Sequence, residues 1–270
     1  MGLTNIKRRS IGYCLLVIAA FLSFSSPGFS AAPCDGSSFA RLELSQHFAF
    51  TAKNKKIALH IMEDGSEKVS RTVSLGRRFI APNKIADKQI SSIAEKNFQT
   101  TAKYVLDHID ELEINKNTAI KLNKMLTKNL VDKEIQGDYL FRTNATYAHE
   151  SDSFVAGDPE RFYKWLDSRA AKKIQEKDPI AFAEIIHNNI ASLDSFPDGN
   201  GRLSRLLADL ALMKAGYAPA YYTDMIDYFT RGTPRGVQNS GVPAASREAR
   251  KKYFREIVEK GQDSMENGGR

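Results

Sequence analysis

Cysteine is almost missing from this chain: Cys14 and Cys34 are the only two in 270 residues. Histidine is scarce too, with five positions, His47, His60, His108, His149 and His187. No apolar stretch reaches the ~20 residues that a membrane-crossing helix takes; the N-terminal run from Ile11 to Phe24 has 14. No glycine loop ends in the Gly-Lys-Ser/Thr of a Walker A motif, and no internal repeat is present. The net charge of +7 would suit a nucleic-acid partner, but no stripe of interleaved basic and aromatic residues supports one, so none is expected. These absences exclude a disulfide-stapled scaffold and a P-loop nucleotidase.

What stands at the N-terminus has three parts. Lys7, Arg8 and Arg9 are basic, Ile11 to Phe24 is apolar, and Ser25 to Ala32 supplies small residues. That is the layout of a secretory signal peptide. Cleavage is expected after Ser30, with Ala32 the alternative, so residues 1–30 read as the signal peptide and the protein as exported, periplasmic or secreted. Retention as an uncleaved anchor is the one case that would leave the chain on a membrane. Cleavage removes three cations and no acid, leaving a net charge of +4 and Cys34 alone, unable to pair internally. Such a chain must rely on its apolar core, and about 240 residues is ample for one.

Residues 31–89 read as an N-terminal extension, 90–230 as the main domain, and 231–270 as a linker, a C-terminal helix and a tail. In the extension, Phe48 to Phe50 and Ile57 to Ile61 suggest short strands, with Asp64 and Gly65 as a turn signal. From Ile90 the pattern becomes helical, with Ile93, Phe98, Tyr104, Val105, Ile109 and Leu112 marking apolar faces. A second helix is expected over residues 117–134. Residues 232–245 are rich in Gly, Pro, Ser and Asn and read as an exposed connection. Residues 246–260 then predict a basic amphipathic helix that docks through Tyr253, Phe254 and Ile257, followed by a disordered stretch over the last nine residues.

Residues 194 to 205, DSFPDGNGRLSR, carry the chemistry. Gly199 and Gly201 tolerate backbone conformations closed to other residues and let a ligand approach the main chain. From Arg202, Leu203, Leu206, Leu207, Leu210 and Met213 recur at helical spacing, and Gly216 with Pro219 beyond it predicts the stop. The start of that helix directs unpaired N–H groups and partial positive charge at the glycines, which suits an anion. Arg202 and Arg205 lie one turn apart and can fork onto phosphate oxygens. Asp198 is placed to hold Mg²⁺ against them.

At these residues the chain resembles the Fic (Fido) family, whose signature is His-x-Phe-x-Asp/Glu-Gly-Asn-Gly-Arg-x-x-Arg. Phe196, Asp198, Gly199, Asn200, Gly201, Arg202 and Arg205 match; the opening histidine is replaced by Asp194. The likeness runs over about residues 90–225. Phe141, Arg142 and Thr143, after Gly137, resemble the entry to the family's substrate-positioning hairpin, the flap. The stretch from Trp165 through Pro179 to His187 resembles the helix before the loop, and Lys214 to Tyr217 the close of the helix after it. The resemblance implies a mainly α fold, a Fic-type helical bundle with a short β-hairpin flap, here with a small strand-containing N-terminal extension. It implies ATP or another nucleotide with Mg²⁺, and transfer of AMP, UMP, phosphate or phosphocholine to a Ser, Thr or Tyr hydroxyl of a target protein. By position, Asp198 would bind the metal and Asn200 the α-phosphate. The backbone at Gly199 and Gly201 would form the anion hole, Arg202 and Arg205 would take the β- and γ-phosphates, and Phe196 would pack beneath the loop. The family's inhibitory pattern, Ser/Thr-x-x-x-Glu-Gly/Asn, has a partial echo at Ser91 to Glu95, where Lys96 breaks it.

In the family the missing histidine takes the proton from the attacking hydroxyl. An imidazole with a pKa of about 6.5 suits that task, whereas an aspartate near ~3.9 is a far weaker base. General-base catalysis is worth roughly 10²–10⁴-fold, so Asp194 implies impaired catalysis unless burial raises its pKa. Three readings stay open: a weakened or altered transferase, a non-catalytic pseudoenzyme that binds nucleotide or protein, and a loop that no longer takes nucleotide. Neither His187, about two helical turns upstream of Asp194, nor His149, in the flap region, is a persuasive substitute base. Export sharpens the question, because exported compartments hold little ATP. Delivery into another cell, a lumen containing ATP, or abandonment of ATP would each reconcile the two.

Overall fold

The computed structural model describes residues 48–69, 87–134, 136–138, 159–193, 195–233 and 245–269. Among these residues the fold is helical. In chain order the helices are α1 (Ala52–Val69), α2 (Asp87–Asp107), α3 (Lys116–Leu126), α4 (Pro159–Leu166), α5 (Arg169–Lys177), α6 (Pro179–Leu193), α7 (Asn200–Lys214), the single turn α8 (Met225–Asp227) that runs into a π-helical turn at Tyr228–Gly232, and α9 (Arg247–Glu266). Helix starts are written in the sequence. Asn115, Ser168 and Ser246 cap α3, α5 and α9 by accepting from the amides of Thr118, Ala171 and Ala249, the usual role of Asn and Ser before a helix. Asp178 does the same for Ala181, ahead of Pro179.

α7 is the axis of the molecule. Every residue from Leu203 to Met213 is buried, and a helix covered all round belongs in the middle of a bundle. α6 packs along it most extensively, α3 and α2 also meet it, and α9 joins α1 to α6. The main apolar core runs from Ala58 on α1 to Met265 on α9, and a smaller cluster joins Ile90 and Ala94 of α2 to Leu130 and Val131 after α3. α7 stops where expected: Gly216, at φ +83°, donates to the Met213 carbonyl while Tyr217 donates to that of Leu212. That is a Schellman turn, which needs a left-handed residue after the helix. The Gly216 carbonyl in turn accepts from the amide of Phe48.

Three expectations are corrected. Residues 57–61 are helix α1, not a strand, and Phe48 to Phe50 lie outside any strand. The buried set of α1 is Ala58, Ile61, Met62, Gly65, Ser66 and Val69, whose spacing is helical. The pattern was hard to read because Gly65 and Ser66, not apolar residues, hold the third turn. Gly65 is there for space: a Cβ would sit 3.3 Å from the Tyr222 amide nitrogen. The helix expected over 117–134 ends at Leu126, and Asn129 adopts a φ of +62°, which a helix cannot continue through. The last nine residues are not disordered as far as Gly269: α9 continues to Glu266, with Met265 in the core and Gly269 donating to the Ser264 carbonyl. Docking of α9 through Tyr253, Phe254 and Ile257 is as expected, since all three are buried. The proposed signal peptide, the flap residues 141–143, His149 and the Gly/Pro-rich stretch 234–244 lie outside the described residues, as does Asp194. No helix among the described residues is long and apolar enough to cross a membrane.

Candidate functional site

The loop between α6 and α7 is braced from below and behind. Phe196 is fully buried in the core. Asn200 clamps the turn: its side-chain amide donates to the Phe196 carbonyl at 2.7 Å, and its oxygen accepts from the Phe196 amide at 2.9 Å. Both polar ends of Asn200 therefore shape the loop, and any contact it makes with an α-phosphate comes in addition. Asn123 of α3 donates to the Asp198 carbonyl at 2.8 Å. Gly199 has φ +80°, and a Cβ there would press on Thr127 at 3.1 Å and on Asn123 at 3.2 Å. Backbone angle and space both call for glycine at this position.

That left-handed residue precedes a helix with no side-chain cap. The first amide bonded within α7 is that of Leu203, to the Gly199 carbonyl. The N–H groups of Asn200, Gly201 and Arg202 consequently lack helical acceptors, at the positive end of a helix that is buried from Leu203 to Met213. Gly201 leaves the approach open: its absent Cβ would meet nothing nearer than Arg205 Nη1, at 3.8 Å.

The two arginines occupy different settings. Arg202 is partly exposed, donates to Asp198 Oδ2 at 2.8 Å and reaches the Leu126 carbonyl at 3.3 Å. Arg205 is 4% exposed. Its Nη2 donates to the Ser66 hydroxyl of α1 at 3.2 Å, and its Nε has no hydrogen-bond partner. The guanidinium carbon stands 5.9 and 5.8 Å from the rings of Tyr222 and Tyr228, within cation–π range. His187 closes the far side. It is fully buried, hydrogen-bonds Tyr228 at 3.1 Å and stacks near Tyr222 and Phe254. Burial, reinforced by the Arg205 charge, pushes its pKa down to about 3. A neutral, enclosed imidazole of that kind is a packing group rather than a replacement base. Asp209, one turn beyond Arg205, is also buried, and burial raises its pKa to about 7 against the lowering effects of the Ala220 amide and the Arg205 charge.

Of the residues singled out by sequence, Asp198, Gly199, Asn200, Gly201, Arg202 and Arg205 thus come together at the start of α7. Ser91 to Glu95 lies within α2, and the side chain that does engage the second arginine is Ser66 on α1. Sequence reasoning passed over Ser66, Tyr222, Tyr228 and Asp209. Only Asp209 left a signal, as an acid inside an otherwise apolar helical run.

The Fic/DOC family model matches residues 113–212, which hold this loop, the helix on each side of it and the α3 brace. The chain carries a Fic domain. The chain is similar to part of the protein adenylyltransferase Fic of Drosophila virilis, 32% identical over 115 residues, or 41% of this chain and 22% of that protein. The corresponding protein of Drosophila sechellia is 40% identical over 60 residues, 22% of this chain and 12% of the relative. The chain therefore spans less than a quarter of the length of these curated relatives. A Fic domain containing signaling protein from Bacteroides thetaiotaomicron shares the fold, at a TM-score of 0.55 and 18% identity, over 86% of this chain and 94% of that one. The packed core continues beyond the matched residues, through α1 and α9.

The Fic loop also bears on metal binding. No group of three or more His, Cys, Asp or Glu side chains that would hold a metal by protein ligands alone occurs among the described residues. A single carboxylate is what Mg²⁺ takes from a protein when phosphates and water fill its other positions. Asp198, 26% exposed and held by Arg202, fits that role.

Proposed function

We propose that this chain is an exported Fic-type protein that binds the phosphates of a nucleotide at Gly199 to Arg205. It transfers AMP, or a related phosphate-containing group, to a hydroxyl of a target protein. Asp194 takes the histidine position. The observation that carries the reading is the convergence of an uncapped helix N-terminus, a left-handed glycine and a buried, incompletely partnered arginine at the start of α7. The curated relatives are named as protein adenylyltransferases, which supports adenylyl transfer as the activity to look for.

Each part has a physical job. The amides of Asn200, Gly201 and Arg202 accept negative charge without any side chain having to reorganise. Asp198 would hold Mg²⁺, which supplies charge neutralisation between phosphate oxygens. Arg202 exchanges its contact with Asp198 for phosphate when the ion arrives, and its anchor on Leu126 keeps it close. Asp194 is the group asked to take the hydroxyl proton. An ordinary carboxylate does this poorly, which favours slow transfer, or a pseudoenzyme that binds nucleotide or a protein partner without turnover.

Calorimetry with Mg-ATP is the first test, and failure to detect binding would remove the ATP form of the proposal. Transfer of labelled AMP is then compared among wild type, Asp194→His and Asp194→Ala. Activity that appears only with histidine marks a natural pseudoenzyme. Activity lost in Asp194→Ala makes the aspartate a working base. Separation of precursor and mature chains in cell fractions tests export.

A further inference from the structure

Arg205 is a buried cation that makes no ion pair among the described residues. Asp209 lies one turn along α7, is 2% exposed and feels the Arg205 charge, yet the two make no direct ion pair. Asp209 Oδ1 is instead engaged by the Ala220 amide at 2.9 Å. The other groups around the pair are the neutral His187 of α6, the hydroxyl of Ser66 on α1, Tyr222 after α7, Tyr228 of the π-helical turn, and Tyr253 of α9 near Tyr222. None of these is a carboxylate. A cation taken out of water in this way is costly unless some anion answers it, and Asp209 is the internal candidate. The guanidinium meanwhile leans toward the opening of α7, as the 3.8 Å approach of Nη1 to the empty side of Gly201 shows. One cation is thus shared between two sides: a carboxyl inside, and whatever anion sits at the helix start.

We propose that Asp209 is the resident counter-charge of Arg205 and that a bound anion replaces it. Anion binding at the start of α7 therefore drives a proton onto Asp209. The inference deepens the phosphate-binding role proposed above and rests on it. Asp209 touches no ligand. It is a positioning residue acting through Arg205, and it makes the site prefer its anion at lower pH. The step is a proton uptake from solvent that neutralises the carboxylate, with no other bond made or broken. Free carboxylate and bound phosphate compete for one guanidinium, so each weakens the other by the same factor.

The test is calorimetry of Mg-ATP binding to the full chain at pH 7, in two buffers of different ionisation enthalpy, for wild type and Asp209→Asn. Asparagine keeps an acceptor for the Ala220 amide, and the difference between the two proteins cancels protonation of the nucleotide itself. A one-unit rise in the pKa of Asp209 on binding would give an excess uptake of about 0.4 proton in wild type, and an affinity about fivefold lower at pH 8 than at pH 6. Asp209→Asn should show neither. Equal proton uptake by the two proteins would overturn the inference. Should the variant fail to fold, the ¹³C carboxyl signal of Asp209 in wild type decides: addition of sulfate, which does not titrate in this range, should move it toward the protonated form at pH 7. The sulfate arm also separates the two ideas. Absence of Mg-ATP binding with a sulfate-induced shift rejects the nucleotide and keeps the coupling. No response of Asp209 to either anion overturns the coupling.

Discussion

Arg202 and Arg205 are chemically identical, stand three residues apart and look like the two prongs of one fork. Their surroundings separate them. Arg202 faces water in part and is matched by Asp198 and a main-chain carbonyl. Arg205 is enclosed by two tyrosines and a neutral histidine and is matched by one hydroxyl. The Arg202–Asp198 pair sits at the rim, at 12% and 26% side-chain exposure, where an arriving phosphate can take the place of the carboxylate on the same guanidinium. A buried guanidinium with spare donors has a far larger stake in finding an anion. The loop divides its labour accordingly, with Arg202 adapting to the ligand and Arg205 demanding one.

Replacing Arg205 by Ala should have the largest effect. Two or more charge-assisted bonds at ~1.5–3 kcal/mol each are lost, which predicts at least a roughly 100-fold fall in affinity for Mg-ATP by calorimetry. A drop no larger than the roughly tenfold expected of Arg202→Ala would make the two arginines equivalent after all.

Asp209→Asn comes next, read as stability against pH by chemical denaturation. Burial raises the folded-state pKa to about 7, so between roughly pH 4 and pH 7 the native state keeps a proton that the unfolded chain has released. Wild-type stability therefore falls as pH rises through that window and levels off above it. The asparagine variant lacks this slope, and relative to wild type it should gain ~2–4 kcal/mol on going from pH 4 to pH 8. His187, with its pKa near 3, acts in the opposite sense, losing stability as pH falls from about 6.5. That contribution is common to both proteins and cancels.

Arg202→Ala should cost about tenfold in affinity, with a change in stability under ~1 kcal/mol because its ion pair is partly exposed. Ser66→Ala is the mildest. It removes the one hydrogen bond by which α1 positions the charged Arg205 guanidinium, and should weaken Mg-ATP binding about threefold while leaving the binding of an unrelated surface ligand unchanged. An effect as large as that of Arg205→Ala would mean that α1, not α7, sets the arginine.

The contrast also explains what the sequence could disclose. Gly199, Asn200, Gly201, Arg202 and Arg205 are contiguous, and a short apolar period follows them, so the loop and the axis helix were legible from local chemistry. The end of α7 was legible for the same reason, since Gly216 and Pro219 act locally. The Arg205 enclosure was not. Ser66 is 139 positions away in the chain, and Tyr222 and Tyr228 read as ordinary core aromatics until the fold brings them over the guanidinium. α1 was misread because its closest approach to another backbone, at Gly65 beside Tyr222, requires the absence of a side chain. Periodicity is written in what side chains bury, so a helix that docks through glycine and serine is nearly silent to it.

The stretch that the family model matches, residues 113–212, is consequently smaller than the set of described residues that shares its core. Cut at those borders, α7 would lose Ser66 on one flank and Tyr222, Tyr228 and Phe254 on the other, and Arg205 would be left in water with its roof gone. α9 would go too, although Gly261 lies so close to the Pro219 carbonyl that a Cβ would come within 2.1 Å of it. Homology marks where such a protein is recognised. Excision experiments have to follow the packing instead, from residue 48 to residue 269.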